Sequence, residues 1–189
     1  MSLLTLVLLL AAGAMAQIGP SWLDAPMQGW NEVDKGVPSA QPGTELQAVL
    51  DRRCGSSALA KSATADAVRK AGWVPFLHFD QVISRGDIEV VGGMTAATTP
   101  GCEATVFNLF VFVGGRYAGT VSPVTMTRNR DGDVGPVRIS GADSLMADFA
   151  RYTPTDTECC PSSRVRVSYR IEKGSGRPVL VAVDARRIR

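Results

Sequence analysis

Val106-Phe107-Asn108-Leu109-Phe110-Val111-Phe112-Val113-Gly114-Gly115-Arg116-Tyr117-Ala118-Gly119-Thr120-Val121-Ser122 reads as a β-hairpin. A run rich in β-branched and aromatic residues meets a Gly-Gly pair and returns, and a two-residue glycine loop between such runs is a strong hairpin signal. Alternation puts Phe107, Leu109, Val111 and Val113 on one face and Phe110 and Phe112 on the other. Apolar residues on both faces predict a central strand covered on both sides, not a surface ribbon.

Working outward, Ile88 to Met94 and Val137 to Ile139 read as strands, and Trp73 to Phe79 as one that Pro75 demotes toward an edge. Arg164 to Ile171 alternates charged with apolar residues, Lys173-Gly174-Ser175-Gly176 is a turn, and Val179 to Val183 pairs back. Helical spacing is read three times. Thr44 caps a segment with Leu46, Val49 and Leu50 on one face and Gly55 at its end; Ala65 to Ala71 follows Thr64 and stops at Gly72; and Leu145, Met146, Phe149 and Tyr152 mark Ala142 to Tyr152, ended by Pro154. The expected fold class is therefore α+β: one antiparallel sheet of about five to six strands with about three helices.

The apolar run Leu3 to Ala12 and the end Ala14-Met15-Ala16 describe a secretory signal peptide over residues 1–16, with cleavage after Ala16. A membrane span needs roughly twenty apolar residues, and Gln17, Pro20 and Asp24 interrupt this one; the mature form is expected to have no transmembrane span. Residues 17–43 form a Pro/Gly-rich lead-in whose Trp22 and Trp30 argue for a segment draped over the domain. Residues 44–189 are expected to make a single α+β domain. The destination is secreted or periplasmic. Net charge is nearly balanced at +2, which gives no support to a nucleic-acid partner.

Four cysteines, Cys54, Cys102, Cys159 and Cys160, imply two disulfides in an exported chain. Neighbours in an extended chain point to opposite faces, so Cys159 and Cys160 are expected to staple their segment to two different partners, Cys54 and Cys102, in either order. Bonds closing such long loops are worth up to about 4–5 kcal/mol each in the chain-entropy model. Metal and redox sites are not indicated: no Cys-x-x-Cys occurs and there is one histidine. No cofactor is expected.

No catalytic residues are assigned. His78 and Asp80 share a face if they lie on a strand, but no nucleophile motif of the Gly-x-Ser-x-Gly type accompanies them. Thr127 to Asp133 superficially resembles a calcium loop. With Gly132 at position six, Thr127 and Arg138 fill the first and last ligand positions, so a turn at Asp131-Gly132 is the better reading. Arg164, Arg166 and Arg170 form a stripe on one strand face, a candidate surface for an anionic partner such as an envelope polymer.

Phe110-Val111-Phe112-Val113, Gly115 to Pro123, Met126, Asp131-Gly132, Phe149-Ala150-Arg151-Tyr152, Asp156 and Cys159-Cys160-Pro161-Ser162, with Gly72-Trp73 upstream, resemble the core of LppP/LprE-like exported bacterial proteins. The resemblance implies an envelope or secreted domain with no catalytic residues to carry over, and this chain lacks that family's lipid-attachment cysteine. The expected function is an envelope-associated binding or structural domain. The alternative is an envelope-polymer hydrolase using dispersed carboxylates such as Asp80, Asp131 or Asp133, which would require two of them at a defined separation.

Overall fold

The computed structural model describes residues 21–25, 27, 29–40, 50–54, 60–76, 83–95, 98–174 and 176–188. The signal segment 1–16, most of the helix expected from Thr44, and both His78 and Asp80 lie outside the described residues.

The described chain is mostly β. Ten strands run in order: β1 (Val74–Phe76), β2 (Ile83–Arg85), β3 (Ile88–Met94), β4 (Val106–Val113), β5 (Arg116–Thr120), β6 (Met126–Thr127), β7 (Val134–Ile139), β8 (Ser144–Arg151), β9 (Ser163–Glu172) and β10 (Val179–Ile188). They form two antiparallel sheets. One holds six strands on the path β1-β3-β4-β5, with β2 on β3 and β6 on β4; the other is β10-β9-β8-β7. Among the described residues the one α-helix is α1 (Ala63–Lys70), beside a 3-10 turn at Trp22–Asp24 and a π turn at Leu50–Cys54.

This overturns the α+β expectation of a single sheet with about three helices. The decisive segment is Ser144–Arg151, expected to be helical and found as an inner strand of the four-stranded sheet. Leu145 and Phe149 fit both a period of 3.6 and a period of 2, so the short apolar run carries both signals. Pairing with β7 and β9 chooses between them: Leu145, Ala147 and Phe149 point into the core, each wholly buried.

The hairpin is as the sequence reads it. Gly114 and Gly115 both take positive φ (54° and 75°), which a tight turn matched to strand twist requires. The two faces of β4 feed two separate cores. Phe107, Leu109, Val111 and Val113 pack with β8 and β9 residues such as Phe149, Val167 and Tyr169 between the sheets. Phe110 and Phe112 pack instead under Trp73 and under Val68 of α1. The helix itself is capped by Ser62, whose hydroxyl accepts from Ala65 N at 3.1 Å, two residues earlier than the expected cap Thr64. Pro75 sits on β1, at the edge of its sheet.

A strap from Ser21 to Ala40 joins the two sheets. Trp22 meets Phe149 edge-on and Trp30 meets Tyr169 likewise. Asn31 is the polar clamp: Nδ2 donates to Thr120 O on β5 and to Leu180 O on β10, both at 3.0 Å, while Oδ1 accepts from Thr120 N at 2.9 Å. The amide lies over Gly119, where a Cβ would fall 2.3 Å from Asn31 Cγ. Asn31→Ala should cost about 1–3 kcal/mol by leaving backbone groups of both sheets without their partner. Denaturant unfolding with an unchanged m-value checks this, and wild-type stability would show that the clamp is not holding the sheets together.

Candidate functional site

Where the two sheets' ends meet, a cleft of about 480 Å³ opens. Phe76 of β1 and Phe107 of β4 form one wall with the loop Gly101 to Ala104. The turn between β6 and β7 gives Arg128, Asn129 and Asp133, and β7 adds Val134 and Gly135. Ala150 and Tyr152 come from the end of β8, Cys159 and Pro161 from the following loop, and Arg164 from β9.

Local hydrogen bonds explain why these side chains stay there. Asn129 adopts the left-handed region (φ 56°), and its N–H donates to Asp133 Oδ2 at 2.9 Å, closing the turn. Gly132 N donates to Ala150 O and Ala150 N to Asp133 O, both at 2.8 Å, hooking the turn onto β8. Beside it, Asp131 Oδ1 accepts from Arg151 Nε at 2.8 Å and from Tyr152 N at 3.0 Å, and Arg151 also grips both oxygens of Asp24. From the same turn, Arg128 makes a 2.8 Å salt bridge with Glu103 of the loop before β4.

The loop after β8 is organised by Asp156. Its carboxylate accepts from Thr153 N (2.8 Å), Thr153 Oγ1 (2.9 Å) and Ser162 N (2.9 Å), and also from the Ser162 hydroxyl. These bonds, that of Ser162 Oγ foremost, hold its acid well below the usual carboxylate range. The serine of Cys159-Cys160-Pro161-Ser162 thus closes a ring on an aspartate six residues back. Tyr152 adds a bond from its hydroxyl to Glu158 O at 2.8 Å.

The disulfide expectation needs correction. Cys54 is bonded to Cys102 (S–S 2.06 Å, Cα–Cα 5.6 Å), and Cys159 to Cys160. The expectation assumed an extended chain with side chains pointing apart; the pair instead lies in a turn, where Cys160 N donates to Thr157 O at 2.9 Å. Cys102, in the left-handed region (φ 64°) on a loop folded back by the Thr98–Ala104 bridge, faces Cys54. Cys102 and Cys159 both border the cleft, without bonding to each other. Cys159 and Cys160 are exposed while Cys54 and Cys102 are half-buried. Stepwise reduction with alkylation and mass spectrometry should therefore label Cys159 and Cys160 first; earlier labelling of Cys54 and Cys102 would contradict the exposure argument.

The arginine stripe is divided by its partners. Arg166 forks onto Asp148 (2.6 and 2.8 Å), and the bond holds that aspartate's acid below its usual range. Arg138 reaches the same carboxylate at 3.5 Å, and Arg170 pairs with Glu172 at 2.7 Å. Among the described residues only Arg166 and Arg170 of the three are held in salt bridges. Arg164 lines the cleft, near enough to Asp133 to act on its charge.

Of the carboxylates considered for hydrolysis, Asp131 is engaged by Arg151 and Tyr152 N, and Asp133 lies in the cleft with Glu103. Sequence reading missed Glu103, Arg128, Asn129 and Tyr152 as lining residues; the one available signal was the dense polar run Arg128 to Asp133. Among the described residues no cluster of three or more His, Cys, Asp or Glu is placed to hold a metal ion.

Burial pushes the Asp133 acid up to about 6 against the lowering pull of Asn129 N–H, Arg128 and Arg164. The native state then keeps a proton between the ordinary value of 3.8 and about 6 that the unfolded chain has lost. Stability contributed here falls as pH rises through that window and levels off above it. Asp133→Asn should gain about 1–2 kcal/mol at pH 7.5 and little at pH 4.5. Denaturant melts at the two pH values check this, an equal gain at both being the contrary result.

Residues 89–174 match the LppP/LprE lipoprotein family, in agreement with the resemblance seen in the sequence. It runs from β3 to just past β9 and contains every residue lining the cleft except Phe76. No curated protein and no solved structure shows detectable similarity to the chain. No helix among the described residues is long and apolar enough to cross a membrane.

Proposed function

With residues 89–174 matching the LppP/LprE lipoprotein family and the cleft lying almost wholly within them, we propose that the protein is an exported binding module of the cell envelope. Its cleft takes an oxyanion group, carboxylate or phosphate, of an anionic envelope component. Residues 1–16 act as a signal peptide removed after Ala16, and the remainder works as a single domain. The observation that carries the reading is the division of the arginine stripe: Arg166 and Arg170 are salt-bridged on the sheet face, whereas Arg164 presents its guanidinium at a cleft. A guanidinium there can fork onto a carboxylate or phosphate, and Arg128, Asn129 and Tyr152 supply further polar groups around it. Phe76 and Phe107 give the cleft an apolar wall beside these polar groups.

The test is a comparison of three single variants of the mature protein against polygalacturonate and against phosphatidylglycerol vesicles. Arg164→Ser should weaken binding to the responsive probe about tenfold, the loss of one charge-assisted hydrogen-bonding group. Arg170→Ser should leave it unchanged. Arg166→Ser should lower the melting temperature by leaving the buried Asp148 without its forked partner, with little effect on binding. Equal losses from Arg164→Ser and Arg170→Ser would move the site from the cleft to the sheet face. Binding to neither probe would remove the anionic-partner reading.

A further inference from the structure

We infer that Asp133 is a built-in competitor for the anion taken by the cleft, so that ligand binding is coupled to uptake of one proton by this carboxylate. The inference rests on the cleft being an oxyanion site. Its basis is geometric. Asp133 cannot swing away from the arginines: one carboxylate oxygen accepts from Asn129 N at 2.9 Å, its own N–H donates to Arg130 O at 3.0 Å, and its carbonyl accepts from Ala150 N at 2.8 Å.

The groups around it come from four elements. Arg128 stands on the same turn and is bridged at 2.8 Å to Glu103 of the loop before β4. Arg164 comes from β9, and Tyr152 from the end of β8, where burial and then the charge of Asp133 push the tyrosine's acid up. Two arginines against Glu103 and ionised Asp133 leave the cleft formally neutral (+2 against −2); protonating Asp133 leaves it at +1.

A second anion brought into a cleft that already holds a partly buried carboxylate meets like-charge repulsion, which is relieved when that carboxylate takes a proton. By linkage, anion binding and proton binding then strengthen each other by the same factor. The cost of keeping Asp133 ionised in its partly buried place raises its acid to about 6, so this exchange falls on the acid side of neutrality. The proton comes from solvent, and no bond other than the carboxyl O–H is made.

Sulfate is a suitable probe because it stays a dianion throughout the range used. Calorimetric titration of the mature protein should show affinity at least tenfold higher at pH 5.0 than at pH 7.5. Repeating the titration at pH 6.5 in two buffers of different ionisation enthalpy should show net proton uptake on binding. Asp133→Asn should bind at pH 7.5 as tightly as wild type does at pH 5.0, with no pH dependence left. Wild-type binding that is independent of pH and takes up no proton overturns the inference and leaves the oxyanion reading standing, as does pH dependence that persists in a folded Asp133→Asn. Absence of sulfate binding by wild type at pH 5.0 overturns both. The buffer comparison needs wild type alone, so the inference is tested even if the variant fails to fold.

Discussion

Strand β4 buries both of its faces, and the remainder of the structure answers that demand. Phe107, Leu109, Val111 and Val113 face the second sheet, and Phe110 and Phe112 face α1 and Trp73. At about 25 cal/mol per Å² of apolar surface, side chains of this size are worth roughly 1.5–3 kcal/mol each when buried. A strand that carries them on both sides cannot leave either side to water. Two layers of cover follow: a four-stranded sheet on one side, and a short helix with part of the Ser21–Ala40 strap on the other.

The polar groups that survive inside this arrangement are the ones that fix how its parts meet. Asn31 satisfies backbone groups of β5 and β10 with a single amide, and the Tyr169 hydroxyl donates across to Val121 O. Asp148, 5% exposed, is tolerated on β8 because the cross-strand neighbour Arg166 forks onto it. Each of these is a buried or partly buried group that would be costly without its partner, so each selects one register and one sheet-to-sheet placement. The cleft lies where this packing ends. Its walls are strand ends and turns held by Asp131, Asp133 and Asp156, which satisfy backbone N–H groups that no strand can reach.

Period-2 alternation was readable wherever one face meets water. Arg164 to Ile171 shows it plainly, and the strand there has Val165, Val167, Tyr169 and Ile171 buried with the arginines outward. The Gly114-Gly115 hairpin was equally readable, because a tight turn leaves few residue types at positive φ. Ser144–Arg151 was not, since its apolar residues satisfy helix and strand spacing alike and only its neighbours distinguish them. The arginine stripe was visible as a row of charges, but not its division into two salt-bridged members and one at a cleft. That depends on Asp148 and Glu172 arriving alongside, one of them from another strand.

The sequence by itself determined the central hairpin, most strand positions, the edge placement of Pro75 and the likeness to an envelope lipoprotein family, since local periodicity, turn chemistry and motif residues are properties of the chain alone. Only the tertiary structure decided that the strands divide into two sheets, that Cys54 bonds to Cys102 and Cys159 to its neighbour, and that Glu103, Arg128, Asp133, Tyr152 and Arg164 border one cleft. Those outcomes depend on which distant segments pack together. Local sequence sets which face of a strand is apolar; the choice of partner for that face is made by the free energy of the whole core.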